Sequence, residues 1–243
     1  MMPLEPQTNR RASRWRPILL ATLSLLLVAT LGTLILRNQP QRLNAWAGPT
    51  SPIIACREAA PDKWSAHPSE PEGYIEHGPL DFAPHRSGAW GAAKRTVDLQ
   101  ITSLLEVLWN PATIKNPKNT TFSVRSETPP LGTSITRAAT VFVKLKPVFF
   151  ITLEWQESWQ LKELAAGQEY RISYQKTAGD DRLSHFCGWM HLKKISDRKT
   201  LVSMYEEVVS SHRTPEEVSR GRMGTIITAQ KILQQQTPST TGN

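Results

Sequence analysis

The chain has 243 residues, 39% hydrophobic and 21% charged, with a formal net charge of +8. This composition excludes a collagen-like or wholly disordered polymer and leaves room for one ordinary domain plus accessory segments. The charge excess is local: residues 1–47 hold six arginines (Arg10, Arg11, Arg14, Arg16, Arg37, Arg42) against Glu5, and the remaining 23 basic and 20 acidic residues leave only +3. A broadly basic surface for nucleic acid is therefore disfavoured, and two cysteines exclude both a disulfide scaffold and a four-thiolate zinc site.

From Pro17 to Leu36 no residue is charged, and twenty helical residues at about 1.5 Å each match the roughly 30 Å hydrocarbon core of a bilayer. Four arginines precede this run and two closely follow it, so the positive-inside bias predicts a single-pass helix with residues 1–37 as cytoplasmic N-terminus and anchor, and everything later outside the cytoplasm. Trp15 and Trp46 suit the flanking headgroup layers. A cleaved signal peptide is the competing reading, with Ala45-Trp46-Ala47 as its site. The apolar run is longer than a signal peptide needs and ends well before that site, which favours the anchor. A bacterial inner membrane with a periplasmic domain fits this topology.

Residues 38–93 contain eight of the eighteen prolines in short clusters without period, which predicts an extended arm; its aromatics Trp64, Tyr74, Phe82 and Trp90 predict that parts of it dock on a folded surface. From Lys94 the pattern becomes regular. Val97, Leu99 and Ile101 alternate, Ser103–Trp109 suits a short helix that Asn110-Pro111 stops, and Phe122/Val124 and Ile135/Ala139/Val141/Val143 mark further strands. Val148–Leu161 places Ile151, Leu153, Trp155, Trp159 and Leu161 on one face and Thr152, Glu154, Gln156, Ser158 and Gln160 on a wet one. Gln168–Thr177, Leu183–Ile195 and Thr200–Val209 add three strands. Thr214-Pro215-Glu216-Glu217 is a capping box opening a helix whose stripe is Val218, Met223, Ile226, Ile227, Ala229 and Leu233. Gly221 and Gly224 in that helix suggest that something packs close to it. Residues 237–243 form a polar tail.

This order resembles the START-like superfamily, also called SRPBCC or birch-pollen-allergen-like. The resemblance is carried by Cys187-Gly-Trp-Met-His-Leu-Lys-Lys-Ile195, the turn Asp197–Lys199, Thr200-Leu-Val-Ser-Met-Tyr205, Ile101–Trp109 and Trp155-Gln-Glu-Ser-Trp159, and it covers residues 94–236. It implies an α+β fold in which a curved antiparallel sheet of about six further strands wraps around a long C-terminal helix, a helix grip, with a cavity between them. Families of this fold bind lipids or other hydrophobic molecules, and some are cyclases. Pro147 departs from the pattern by interrupting the middle of the sheet, and the first helical region is shorter than usual.

No nucleophile elbow, phosphate loop or metal-ligand spacing occurs, so no catalytic residue, metal or cofactor is expected. His67, His77 and His85 read as solvated loop residues, and His185 and His191 as outer-face residues. Glu206 and Glu207 point to opposite sides of a strand and cannot form a catalytic pair; either could be the one polar group in a cavity, with solvated edge charge the preferred reading. The run Lys193, Lys194, Arg198 and Lys199 reads as a solvated turn. The preferred function is a non-enzymatic module binding a lipid or similar molecule through Leu153, Trp155, Trp159, Tyr170, Ile172, Tyr174, Met190, Met223 and Ile227. A cyclase- or hydrolase-type enzyme and a structural or assembly factor with a closed core remain the alternatives. Cys187 faces outward, where its one possible intrachain partner is Cys56; a bridge that would clamp the arm and two unpaired thiols are both open.

Overall fold

The structure is a computed structural model that describes residues 56–57, 60–82, 86–114, 119–129, 131, 133–148, 151–210 and 213–236. The chain divides into two units at Gln39/Pro40, and every described residue belongs to the second. The apolar run 17–36, its arginines, His85 and the tail 237–243 lie outside the described residues, among which no helix is long and apolar enough to cross a membrane.

Among the described residues, nine strands form one antiparallel sheet: β1 (Ser65–Ala66), β2 (Gly73–Phe82), β3 (Arg86–Val97), β4 (Thr120–Glu127), β5 (Ile135–Val148), β6 (Ile151–Ala165), β7 (Glu169–Gly179), β8 (Leu183–Ser196) and β9 (Lys199–Ser210). Their spatial order is β1-β2-β3-β9-β8-β7-β6-β5-β4. Two short helices, α1 (Ile101–Trp109) and α2 (Pro111–Ile114), follow β3, and the long α3 (Pro215–Gln236) closes the chain. The period-two segments expected from Phe122 onward are strands, whereas the alternation Val97, Leu99, Ile101 leaves the sheet after Val97 and enters α1 at Ile101; β4 to β9 meander through the sheet in sequence order because each turn joins neighbours.

The stretch expected as an extended arm is different. Residues 73–82 pair along their whole length with residues 86–95 as a hairpin, and β3 also pairs with β9, so the boundary expected at Lys94 falls inside a central strand. Over residues 89–93 the hairpin has no large-apolar alternation because its inward residues are small: Ala89, Gly91 and Ala93 face α3. A Cβ on Gly91 would stand 2.3 Å from the backbone nitrogen of Ser219. The helix therefore rests directly on the strand's backbone. Pro147 also differs from its expected place: it lies near the end of β5, where the register slips between Leu145 and Val148, and not in the middle of the sheet.

Helix α3 starts at a complete capping box. Glu217 N–H donates to Thr214 Oγ1 at 3.2 Å and Thr214 N–H donates to Glu217 Oε2 at 3.0 Å. Val218, Ser219, Met223, Ile226 and Ala229 are buried against β2, β3 and β9. The close approach suggested by Gly221 and Gly224 comes from the opposite partner: both are exposed, with open space where a Cβ would sit, while the tight glycine belongs to β3. His77, expected in solvent, lies on β2 against the helix start, with Nδ1 3.3 Å from Ser219 Oγ and Nε2 3.3 Å from Glu216.

On the outer face Trp189 and Tyr205 stack at 5.7 Å, Trp90 lies on Tyr205 at 5.9 Å, and Trp64 and Cys56 pack against them. Lys94 Nζ sits 4.4 Å from the Trp64 ring centre, a cation–π contact worth about 0.5–1 kcal/mol. A disulfide joins Cys56 to Cys187, with a Cα–Cα distance of 5.7 Å. It closes a loop of 131 residues, for which the chain-entropy treatment gives about 4–5 kcal/mol of stabilisation.

These contacts set opposite signs for three glycine substitutions. Gly221→Ala and Gly224→Ala should each raise stability by about 0.5–1 kcal/mol through helix propensity, whereas Gly91→Ala should lower it by about 1–3 kcal/mol by forcing α3 off β3. Chemical unfolding followed by circular dichroism measures all three. A neutral Gly91→Ala would contradict the packing described.

Candidate functional site

The inner face of the sheet and the buried stripe of α3 enclose one apolar cluster, and it gathers all nine residues expected to contact a ligand. Trp155, Trp159, Ile172, Tyr174, Met190 and Met223 are buried within it, and Leu153, Tyr170 and Ile227 pack against it partly buried. Period two puts Trp155 and Trp159 on the same face of β6, Tyr170, Ile172 and Tyr174 on that of β7, and Met190 on that of β8. The rings are ordered: Trp159 stacks on Tyr174 at 5.3 Å, and Trp109 from α1 meets Trp159 edge-on at 6.1 Å. Gly188 on β8 makes room for Tyr174. A Cβ there would lie 2.4 Å from both the Tyr174 hydroxyl and the Tyr205 carbonyl oxygen.

Among the polar side chains that share this apolar interior are Glu157, Tyr174, Glu206 and Arg222. Glu157 is 0% exposed, and the indoles on either side of it donate to it, Trp155 Nε1 to Oε1 and Trp159 Nε1 to Oε2, each at 2.7 Å. Glu206, from β9, pairs with Arg222 of α3 at 2.8 Å and accepts from the Tyr174 hydroxyl at 3.0 Å. Arg222 Nη1 also donates to that hydroxyl at 3.1 Å. Glu206, expected at a solvated edge, is thus buried, because α3 lies across that part of β9. Charged groups survive such burial when paired and hydrogen-bonded.

The electrostatics follow from this crowding. Burial first, then the adjacent Glu206 carboxylate, pushes the Tyr174 hydroxyl well above the ordinary tyrosine range, so it acts as a neutral donor. Burial works against the Arg222 charge, but Glu206 beside it and then Tyr174 outweigh that effect and hold the guanidinium protonated. Within this cluster one donor is left over: Arg222 Nε is buried without a hydrogen-bond partner among the described residues, as is Thr120 Oγ1 on β4. An orphaned N–H of this kind costs about 1–3 kcal/mol unless something accepts from it.

The outer face holds the other half of the adjacent acid pair. Glu207, also expected in solvent, is buried: Tyr205 OH donates to its Oε1 at 2.8 Å, the Arg57 N–H at 3.1 Å, and His185 Nε2 lies 3.1 Å from Oε2. His185 is on the outer face as its parity predicts, yet buried, because residues 56–57 and the aromatic stack cover that part of the sheet. His191 is partly exposed and pairs with Glu169 at 2.6 Å. The expected wet face of β6 is covered in part: Glu154 and Gln156 are buried, and Lys144 of β5 pairs with Glu154 at 2.7 Å. The basic turn is diluted by ion pairs, Lys194 with Asp197 at 2.7 Å and Lys199 with Asp98 at 3.7 Å.

Sequence parity already contained two of the missed residues. Glu157 lies between Trp155 and Trp159 on the same face, and Arg222 lies one turn from both Val218 and Ile226 in the buried stripe.

No family model and no curated relative matches the sequence. Solved structures do match in fold. The STAR-related lipid transfer protein of Xanthomonas axonopodis aligns with a TM-score of 0.53 at 10% identity, covering 71% of this chain and 99% of that one. Human STARD10 aligns with a TM-score of 0.50 at 10% identity, covering 73% of this chain and 77% of that one. The domain thus shares the helix-grip fold of these structures, a curved antiparallel sheet of nine described strands holding a C-terminal helix.

The inner ion pair makes a checkable statement. Arg222→Met leaves Glu206 buried without its cation and should cost about 3–5 kcal/mol. Adding Glu206→Gln in the same chain should recover more than half of that loss. A double-mutant cycle by urea unfolding reads the coupling, and additive single effects would show that the pair does not interact as described.

Proposed function

We propose that the domain binds a lipid or similar hydrophobic small molecule between the sheet and α3, and that the molecule carries a neutral acceptor group. The observation that carries this reading is Arg222 Nε, a buried donor without a partner among the described residues, set in an interior of Trp, Tyr, Ile and Met side chains. Apolar walls with one polar anchor are the usual chemistry of such a site. Because Glu206 already balances the guanidinium charge, a hydroxyl or carbonyl suits the remaining N–H better than an anion does. The fold shared with a protein named for lipid transfer supports the reading by analogy alone.

A second reading, a cyclase- or hydrolase-type enzyme, is favoured by one observation: Glu157, Glu206 and Tyr174 are titratable groups within one interior. Against it, both oxygens of Glu157 accept from indoles and Glu206 is ion-paired, so neither is poised to move a proton. Mass spectrometry of organic extracts from the purified full chain separates the readings. The expected result is one class of hydrophobic molecule at about one per chain, reduced roughly tenfold or more in Ile227→Trp prepared identically. A molecule altered by the native chain and unaltered by Glu206→Gln would favour the enzyme. No enrichment over Ile227→Trp would favour the structural role with a closed core.

The anchor belongs to the same proposal. The uncharged run 17–36 and the arginine asymmetry support a single-pass helix in a bacterial inner membrane with the domain in the periplasm, and a Cys56–Cys187 bridge suits an oxidising compartment. A reporter active only outside the cytoplasm, fused after Asn243, should be active. Activity confined to a cytoplasmic reporter would reverse the topology.

A further inference from the structure

The ligand reading makes no use of the buried polar group on the outer face. Glu207 and His185 reach it from neighbouring strands, Cys187 stands opposite Glu207 in the β8–β9 register, and Cys56 comes from the segment ahead of β1. His185 Nε2 lies 3.1 Å from Glu207 Oε2 and 3.4 Å from Cys187 Sγ, and that sulfur lies 3.7 Å from the same carboxylate oxygen. The Cys56 sulfur, the Cys187 sulfur and a Glu207 oxygen all lie within 4.8 Å of one another. His185, Cys187 and Glu207 are buried while Cys56 is partly exposed, which leaves an approach from the Cys56 side. A bridge between two sulfurs needs neither an imidazole nor a carboxylate beside it, and burying both has a cost.

We infer that, when Cys56–Cys187 is reduced, Cys56, Cys187, His185 and Glu207 form a zinc site, so that the same four side chains hold either a disulfide or a divalent metal ion. Around tetrahedral zinc, bonds of about 2.0–2.3 Å put neighbouring ligand atoms roughly 3.3–3.8 Å apart. The three separations among His185, Cys187 and Glu207 already run from 3.1 to 3.7 Å. The two sulfurs must part to about 3.8 Å, and Cys56, whose sulfur lies within 4.8 Å of Cys187 and Glu207, must also close on the His185 imidazole. Two thiolates, an imidazole and a carboxylate favour zinc over the hard cations magnesium and calcium.

The surroundings hold the ligands in place. The Tyr205 hydroxyl and the Arg57 N–H both bind Glu207 Oε1, which turns Oε2 toward the sulfurs and the imidazole. Trp189 Nε1 donates to the Arg57 carbonyl at 3.0 Å and so fixes the residue next to Cys56.

The change of state balances with a dithiol donor. One donor thiolate attacks a bridge sulfur, the second donor thiol resolves the mixed disulfide, and the donor leaves as its own disulfide; two electrons and two protons pass to Cys56 and Cys187. Zinc then displaces both thiol protons, and His185 offers its Nε2 lone pair with its proton on Nδ1.

The test uses the full chain, reduced with a phosphine under nitrogen and titrated with Co²⁺. The reduced protein should bind one Co²⁺ with thiolate charge-transfer and tetrahedral visible bands that Zn²⁺ abolishes, and the oxidised protein should show neither. Cys56→Ser and Cys187→Ser should lose the charge-transfer bands, and His185→Gln and Glu207→Gln should each weaken binding roughly tenfold or more. A reduced native chain that behaves like the Cys56→Ser/Cys187→Ser double variant overturns the proposal, and so does thiolate binding of unchanged affinity in both His185→Gln and Glu207→Gln. Circular dichroism runs alongside: if reduction unfolds the chain, refolding on adding Zn²⁺ supports the site and failure to refold counts against it.

Discussion

Helix α3 lies as deep as it does because β3, from Ala89 to Ala93, presents it with nothing larger than a methyl group. Ala89, Gly91 and Ala93 form a smooth track on the inner face, and at Gly91 the helix backbone itself touches the strand. Had any of these been valine or leucine, the helix axis would stand farther from the sheet and Arg222 would not reach Glu206 across the gap. The same track places Met223 and Ile226 against the sheet core, so the stripe on α3 and the small residues of β3 are two halves of one packing decision.

The pair Glu206-Glu207 shows how a strand multiplies environments. Adjacent in sequence, the two carboxylates are separated by the thickness of the sheet. The inner one is balanced by a guanidinium inside an apolar shell, and the outer one by hydroxyl, amide and imidazole donors beneath an aromatic lid. Each burial is possible only because a different element covers it: α3 on one side, and residues 56–57 with Trp64 on the other. A charge on β9 is therefore a marker of what lies above the sheet at that point.

How legible each part was in the sequence follows the same physics. Strands β5 to β9 stand out because one face is filled by large apolar side chains, which makes the period visible. The β2–β3 hairpin does not, since its face toward α3 is small over residues 89–93, and Pro79, Gly78 and Gly88 read as breakers when viewed without Trp90 and Val209, which fill the space beside the two glycines. The apolar lining of the interior was readable by parity, and so were Glu157 and Arg222. The burial of His185 and Glu207 was not readable, because it depends on the register of β8 against β9 and on a segment more than a hundred residues away closing over them.

The pairing of β3 with β9 ties residues 89–97 to residues 200–208, while β4 to β9 otherwise pair only with sequence neighbours. In folding terms the sheet is a local meander joined to an early hairpin by one late, long-range ladder, and contacts of that separation are slow to form. During synthesis the hairpin is complete long before its partner strand exists. One edge of β3 therefore stays unpaired until β9, more than a hundred residues later, has been made, the interval in which an exposed edge strand is open to pairing with the wrong neighbour.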